Sequence, residues 1–301
     1  MSNTTSHDIV VIGAGVAGLS AARAALRAGL RAAYLEAQMF GGLVLNVNDM
    51  DGAIGGSGAD FSSSLMSEVA DLGGENLEGV ACDLRADGSG LVVVSDAGEH
   101  RATAVVVASG AALKKLGVPG EAELEYKGVS HCADCDGPMF QGQDVAVVGG
   151  GDSALQAALV LSGYCNRVHL IHRGTVFRAA PHFVERVRAA PNVEIRMGST
   201  VSEVLGSDGV EGVRVNGDAI ACSGFFAFVG LEPASGFLPP GIARDARGAV
   251  LTGADYQTAM PGVYAAGAVR SGCGGMLEHA IAEGEAAAAA AVARLRAPAA
   301  A

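Results

Sequence analysis

A chain of 301 residues, half of them hydrophobic and 17% charged, can bury large cores and is predicted to form two domains of ordinary size. Its formal charge of -12 argues against nucleic acid or an anionic membrane as a partner, since both would repel it, and favours a small molecule or a protein. Six cysteines in so long a chain do not make a secreted disulfide framework: Cys82, Cys165, Cys222 and Cys273 are scattered, and only Cys132 and Cys135 form a close pair.

Met1 to His7 are polar without a basic leader region, and no apolar run reaches membrane-spanning length before a glycine, proline or charge interrupts it, so the expectation is a cytoplasmic protein. Asp8 to Ile12 is a short apolar run rich in β-branched residues. Gly13-Ala14-Gly15-Val16-Ala17-Gly18 follows, then a helical stretch from Leu19 to Ala28 stopped by Gly29. Leu30 to Leu35 predicts the next strand, with Glu36 at its end, 21 residues after Gly15. Bare backbone and a helix N-terminus suit a pyrophosphate, and an acidic side chain after the second strand accepts both hydroxyls of an adenosine ribose. Gly13, Gly15, Gly18 and Glu36 are therefore expected to bind a dinucleotide. Gly41 and Gly42 suggest backbone approaching the same ligand, with a plain loop as the alternative. Asn46 to Gly58 reads as loop and Phe61 to Gly73 as an amphipathic helix. Leu84 to Val94 and Ala104 to Val107 read as strands, a hairpin followed by a return to the main sheet. The small residues Ala108-Ser109-Gly110-Ala111 then let the chain pass close to a bound cofactor, and Lys114 to Gly120 serves as a linker.

Cys132-Ala133-Asp134-Cys135-Asp136-Gly137 comes next. Two cysteines at this spacing can close a disulfide across one turn, or pair a nucleophilic thiolate with a resolving partner. Half of a zinc site is the competing reading, but no second Cys-x-x-Cys or His-x-His cluster completes one, so redox use is favoured and no metal is expected. Asp136 puts a carboxyl where a proton must be given to or taken from a thiol; alternatively it is a turn residue before Gly137-Pro138.

Asp144 to Val148 starts the strand-loop-helix plan again, with Gly149-Gly150-Gly151-Asp152-Ser153-Ala154, a helix to about Ser162 and a strand from Arg167 to Ile171. His172 stands 21 residues after Gly151, and Arg173 follows it. A carboxylate at Glu36 suits a free ribose, whereas Arg173 and Arg178 suit a 2′-phosphate, so this second loop is assigned to NADPH, with NADH as the alternative. Asn192 to Ala227 alternates short β-rich runs with turns. Phe225 to Gly230 predicts a strand, Glu232-Pro233 a stop, and Gly262 to Ala268 a strand ending in a small-residue turn. Gly275 to Arg296 predicts a long helix whose N-terminus can point at a ligand.

Two dinucleotide loops with a Cys-x-x-Cys-Asp between them make the chain resemble the low-molecular-weight thioredoxin reductase family over nearly its full length. The likeness is carried by Gly13 to Gly18 with Glu36, Gly41-Gly42, Ala108 to Ala111, Cys132 to Gly137, Gly149 to Ala157, His172-Arg173 with Phe177-Arg178-Ala179, and Ala265-Ala266-Gly267. The resemblance implies an α/β fold of two Rossmann-like dinucleotide-binding domains, the second inserted into the first. Residues 1–113 and 239–301 would hold FAD; residues 114–238 would hold NAD(P)H and carry the Cys-x-x-Cys. It implies a homodimer that passes electrons from NADPH through flavin and the Cys132/Cys135 disulfide to a disulfide substrate, either a thioredoxin-like protein or a small molecule. In that scheme Cys135 faces the flavin, Cys132 attacks the outside disulfide and Asp136 donates the proton.

The chain departs from the family pattern around the flavin. Ala268, beside Gly267, stands where the family usually has an aspartate that holds the ribityl chain. Gly275 and Met276 replace an Arg-Gln pair, Leu43 replaces a glutamine after Gly41-Gly42, and Gly174 replaces a second arginine of the phosphate clamp. Asp134 adds negative charge near a thiolate and disfavours its ionisation. These changes motivate a second reading, a dithiol oxidase using oxygen or a reductase for a partner other than thioredoxin. A third is a flavin-binding redox sensor without turnover; a scaffold has no chemical use for two glycine loops and a complete Cys-x-x-Cys-Asp. Cys273, in a glycine-rich loop, either approaches the flavin or is a passive thiol, and the passive reading is favoured.

Overall fold

The computed structural model describes residues 6–37, 39–47, 50, 55–88 and 90–297; parts of the Met1–His7 and Asn46–Gly58 readings lie outside the described residues. Strand β1 (Ser6–Ile12) leads through the first glycine loop into helix α1 (Val16–Arg27) and on to β2 (Ala32–Leu35). The helix begins three residues before Leu19 because the loop itself winds into it: a Cβ on Gly18 would lie 1.9 Å from the Gly13 carbonyl oxygen, so only glycine closes that turn. Helix α2 (Gly58–Asp71) also begins ahead of its apolar stretch, because the Ser57 hydroxyl caps it by accepting the Asp60 N–H at 3.0 Å. Then come β3 (Glu75–Leu77), the hairpin of β4 (Ala81–Asp87) and β5 (Gly90–Ser95), and the long β6 (Gly98–Val107).

Strand β1 pairs in parallel with β2 and β6, and β2 with β3, while β5 runs antiparallel along the first part of β6. The apolar runs of β1 from Ile9, of β2 and of β6 from Ala104 are those of strands covered on both faces. Ile9, Val11, Ala104 and Val106 enter the core that holds α1 and α2, and Val10, Ile12, Val105 and Val107 enter the core on the other face.

The chain divides into two compact units, Met1–Ala112 with Glu232–Ala301, and Leu113–Leu231. Strand β7 (Ala111–Leu113) makes the first crossing. The second unit then runs through β8 (Val129–Ser130), the single-turn helix α3 (Ala133–Asp136), β9 (Asp144–Gly149), α4 (Asp152–Ser162), β10 (Arg167–His172), α5 (Pro181–Ala189) and β11 (Val193–Met197). An antiparallel trio, β12 (Val201–Leu205), β13 (Gly212–Val215) and β14 (Asp218–Ala221), precedes β15 (Gly224–Phe228). The main sheet has the order β11-β10-β9-β15-β8, all parallel. Val145, Val147, Leu170 and Phe226 pack under α4; Ala146, Val148, Ile171 and Phe225 pack under the antiparallel trio.

The strand predicted to end before Glu232-Pro233 does end, at Phe228, but Glu232-Pro233 is itself extended. It belongs to β16 (Leu231–Pro233), which pairs with β7 as the chain returns. The crossing therefore falls at Leu231/Glu232 and not at 238/239: Leu238 is buried with Val250 and Val263, and the Ser235 hydroxyl donates to the Gly248 carbonyl at 2.6 Å. Strand β17 (Val263–Ala265) then joins the second half of β6 in parallel, and helix α6 (Leu277–Arg296) closes the first unit. Ala287, Ala288, Ala291 and Val292 form the buried face of α6, and Gly284 lets that helix sit on α1, since a Cβ there would lie 2.1 Å from the Ala17 carbonyl oxygen.

Candidate active site

In the first unit the turn after β1 is held from three sides. Gly13 has φ of +101°, and a Cβ on it would lie 2.3 Å from the carbonyl oxygen of Ala108. The Ala14 N–H donates to Glu36 Oε2 at 2.7 Å, and the Gly41 N–H donates to the Ala14 carbonyl at 2.8 Å. Two hydrogen bonds thus bring the Glu36 carboxylate and the Gly41-Gly42 backbone to the mouth of α1. Gly15 differs from its neighbours: it precedes a helix with no side-chain cap, and the nearest atom to a Cβ there is the Gly41 oxygen at 3.8 Å. Gly13 and Gly18 are thus imposed by the packing of the protein on itself, whereas Gly15 keeps the helix N-terminus bare. Gly267, at φ of +74° and 2.7 Å from the Ala17 Cβ if it carried one, reaches the same place from β17, and Gly110 follows Ala108 with φ of +70°. A cavity of about 300 Å³ opens beside Glu36, lined by Tyr34, Phe40, Met66 and Leu77 and by the polar Asn76 and Glu78. Uncapped helix N–H groups, an acidic residue and a recess of mixed polarity suit the pyrophosphate, ribose and adenine of a dinucleotide such as FAD.

Ala268 lies half-buried in the turn Gly267–Val269, and Met276 precedes the first turn of α6 with 57% exposure. The turn is held by a residue that the sequence did not single out. Glu283, buried on α6, accepts the Gly267 N–H at 2.9 Å and pairs through both oxygens with the Arg270 guanidinium, which lies 5.1 Å from the centre of the Tyr256 ring. Only its polarity inside an alanine-rich helix marked it.

The second glycine loop is built differently. A Cβ on Gly149 would lie 2.5 Å from the Phe228 oxygen, and one on Gly150 would lie 2.2 Å from the His172 ring. His172 is buried, stacked on Phe177 at 5.5 Å, and its Nε2 is 3.1 Å from the Val176 carbonyl oxygen. This imidazole supports the loop from below and crowds Gly174 as well, where a Cβ would lie 2.8 Å from Nε2. Gly151 has open space around it and heads α4 with no side-chain cap. The Asp152 carboxylate accepts the Ala180 N–H at 2.7 Å and the Arg178 N–H donates to the Gly150 carbonyl at 2.7 Å, which brings the Arg178 segment to the loop. Ser153 is exposed in the first turn of α4 and Ala154 is buried beneath Gly149. Arg173 and Arg178 are exposed and make no ion pair among the described residues, as suits side chains that meet a phosphate.

Cys132 and Cys135 form a disulfide on α3, with Cα atoms 5.3 Å apart; Cys135 is exposed and Cys132 half-buried. The Cys135 N–H points at Cys132 Sγ at 3.1 Å. Asp136 is tied to the same turn: its N–H donates to the Cys132 carbonyl at 3.1 Å, and its Oδ2 accepts the Ser130 hydroxyl at 2.6 Å. Three of the other thiols are withdrawn from exchange by burial, whereas Cys82 is exposed on β4, in the other unit. Burial pushes Cys165 up to about 11 and Cys222 to about 12, and burial also raises Cys273.

On the residue before Cys132, His131 Nε2 lies 2.6 Å from Glu125 Oε1, and Lys115 Nζ donates to Glu125 Oε2 at 2.8 Å. Burial alone would raise the Glu125 carboxyl, but the hydrogen bonds from Lys115 and His131 outweigh it and hold the group below the usual carboxylate range. A depressed folded value means stability that is present above the unfolded value, about pH 4.3, and lost as pH falls through the folded one. Glu125→Gln is therefore expected to cost about 1 kcal/mol near pH 7 and little at about pH 3, read as the difference in urea midpoint between variant and parent at the two pH values.

A family model described as pyridine nucleotide-disulphide oxidoreductase matches residues 7–291. The chain is 34% identical over 277 residues to the thioredoxin reductase of Treponema pallidum (strain Nichols), covering 89% of this chain and 90% of that one. It is 35% identical over 281 residues to the thioredoxin reductase of Mycolicibacterium smegmatis, covering 88% and 89%. Among solved structures, the thioredoxin reductase of Lactococcus lactis in its FR conformation superposes with a TM-score of 0.91 at 30% identity, covering 96% of this chain and 99% of that one.

Proposed function

The chain belongs to the pyridine nucleotide-disulphide oxidoreductase family, and we propose that it is an NADPH-linked, FAD-dependent reductase of a thioredoxin-like protein disulfide. One observation carries the reading: a disulfide between half-buried Cys132 and exposed Cys135 sits on a single helical turn, with a carboxylate tied to the same turn. FAD and NADPH, when bound, supply the two-electron chemistry that links a nicotinamide to that disulfide. The first unit would hold FAD through Gly13, Gly15, Gly18, Glu36, Gly41, Gly42, Ala108, Gly110 and Gly267, with Ala268 and Met276 alongside. The second would hold NADPH through Gly149, Gly151, Asp152, Ser153 and Ala154, with Arg173 and Arg178 on the phosphate and His172 behind the loop. A homodimer in the cytoplasm completes the proposal.

The chain's own part in the reaction is proton and sulfur chemistry. Cys132 attacks the substrate disulfide, Cys135 resolves the mixed disulfide, and Asp136 carries protons between protein and substrate sulfurs. Anaerobic titration of the purified holoprotein with NADPH, then NADH, tests this, following flavin absorbance and counting free thiols. Bleaching with the appearance of the Cys132 and Cys135 thiols supports the reading. No bleaching with either nicotinamide, or no new thiols, overturns it, and oxygen uptake driven by a dithiol without NADPH would assign the oxidase reading instead.

Replacing Arg173 and Arg178 together by glutamine should raise KM for NADPH by a factor on the order of 100 or more and leave KM for NADH nearly unchanged, since each charge-assisted bond to a phosphate contributes about 1.5–3 kcal/mol and every 1.4 kcal/mol is about tenfold. Steady-state kinetics with both nicotinamides check this. Equal effects on the two would remove the arginines from the phosphate site.

A further inference from the structure

Ser130 ends β8, two residues before the redox disulfide, and is buried with 6% exposure. Its hydroxyl donates to Asp136 Oδ2 at 2.6 Å, and its oxygen accepts the Cys132 N–H at 3.2 Å. A hydroxyl has one proton to give. Two acceptors are within reach, Asp136 Oδ2 at 2.6 Å and the Cys132 carbonyl oxygen at 3.5 Å, and the proton goes to the carboxylate, whose distance is that of a charge-assisted bond. The Asp136 N–H returns to the Cys132 carbonyl at 3.1 Å, so Ser130, Cys132 and Asp136 form a ring of hydrogen bonds that includes neither sulfur. Opening the disulfide breaks none of them.

We propose that Ser130 is the positioning residue of the exchange reaction: it occupies Asp136 Oδ2, leaves Oδ1 as the atom that carries the transferable proton, and holds Asp136 to the Cys132 backbone in both redox states. This rests on the reading of Cys132, Cys135 and Asp136 as the exchange machinery. The cycle starts with Cys132 as thiolate, Cys135 as thiol and the proton from Cys132 on Asp136 Oδ1. Cys132 Sγ bonds to one substrate sulfur, the substrate S–S bond breaks, and the leaving thiolate takes the proton from Oδ1. Asp136 then removes the Cys135 proton, Cys135 Sγ bonds to Cys132 Sγ, and the second substrate sulfur leaves with that proton. The protein dithiol is oxidised by two electrons and the substrate is reduced to two thiols.

A proton donor matters in proportion to the basicity of the leaving thiol. The holoprotein, reduced with dithiothreitol and freed of it, is mixed with one of two disulfide probes, and the rate of dithiol loss is measured by acid quench and thiol count. Bis(2-hydroxyethyl) disulfide releases a basic alkyl thiol, whereas 5,5′-dithiobis(2-nitrobenzoate) releases an aromatic thiolate that leaves unprotonated. Ser130→Ala should slow the alkyl probe by about tenfold and the aromatic probe by less than about twofold, with Ser130→Thr restoring the alkyl rate. Asp136→Asn should show the same selectivity with a larger loss. Equal rates of parent and Ser130→Ala on the alkyl probe, equal slowing on both probes, or no selectivity in Asp136→Asn would each overturn the proposal. Circular dichroism confirms that each variant is folded, and Ser130→Thr keeps the test decisive if the alanine variant is not. Neither nicotinamide nor flavin reduction enters the assay, so failure of the NADPH titration and failure of this proposal are separate results.

Discussion

Cys135→Ser is expected to lower NADPH-driven disulfide reduction by at least about a thousandfold while NADPH still bleaches the bound flavin. The resolving sulfur is lost, so a mixed disulfide formed at Cys132 has no intramolecular partner to displace it. In the parent the thiol count should rise on NADPH addition through Cys132 and Cys135, whereas in the variant NADPH should free no further thiol. Cys165→Ser and Cys222→Ser provide the contrast. Their thiols, pushed up to about 11 and about 12 by burial, are almost wholly protonated at neutral pH, and both variants should keep disulfide reduction within about twofold of the parent. A Cys135→Ser protein that still turned over a protein disulfide would remove the pair from the electron path and leave the chemistry to another group.

The parts of the molecule that were legible in the sequence are those in which backbone conformation and short spacing carry the information. Gly13, Gly15 and Gly18 read as a nucleotide turn because a strand, a tight loop and a helix follow one another within a few residues, and Cys132 and Cys135 read as a pair because one turn separates them. Even there the physical reasons differ from residue to residue. Gly13 and Gly18 are required by contacts with Ala108 and with each other, His172 requires Gly150, and only Gly15 and Gly151 leave open space at a helix mouth. What stayed hidden was tertiary. Ser130 lies in an ordinary strand end, and nothing in its neighbours announces that its hydroxyl meets Asp136. Glu125 and His131 are six residues apart without periodic pattern, and Glu283 reaches Gly267 across 16 residues and a change from turn to helix. The pairing of β7 with β16 joins segments that the whole second unit separates, so neither short run carries a strand signal by itself.

Arg270→Leu is expected to be the most damaging substitution to stability outside the glycine loops. Side-chain exposures of 17% for Arg270 and 7% for Glu283 place this pair where solvent screens it little, and removing one partner leaves a carboxylate buried without its counter-charge. That costs about 3–5 kcal/mol, on the order of 10 °C in apparent Tm for a protein of this size. Two apolar residues can replace a buried ion pair almost without loss. Arg270→Leu combined with Glu283→Leu should therefore be more stable than Arg270→Leu alone. Recovery stays incomplete because Glu283 also accepts the Gly267 N–H, and the double variant leaves that buried donor unpaired at a cost of about 1–3 kcal/mol. Thermal unfolding of the four proteins in the cycle checks the order parent, double variant, Arg270→Leu. The residual gap between parent and double variant measures how firmly Glu283 holds the turn that carries Gly267 and Ala268. If the double variant matched the parent, Glu283 would serve only to neutralise Arg270, and the turn would owe its shape to Gly267 and its contact with Ala17.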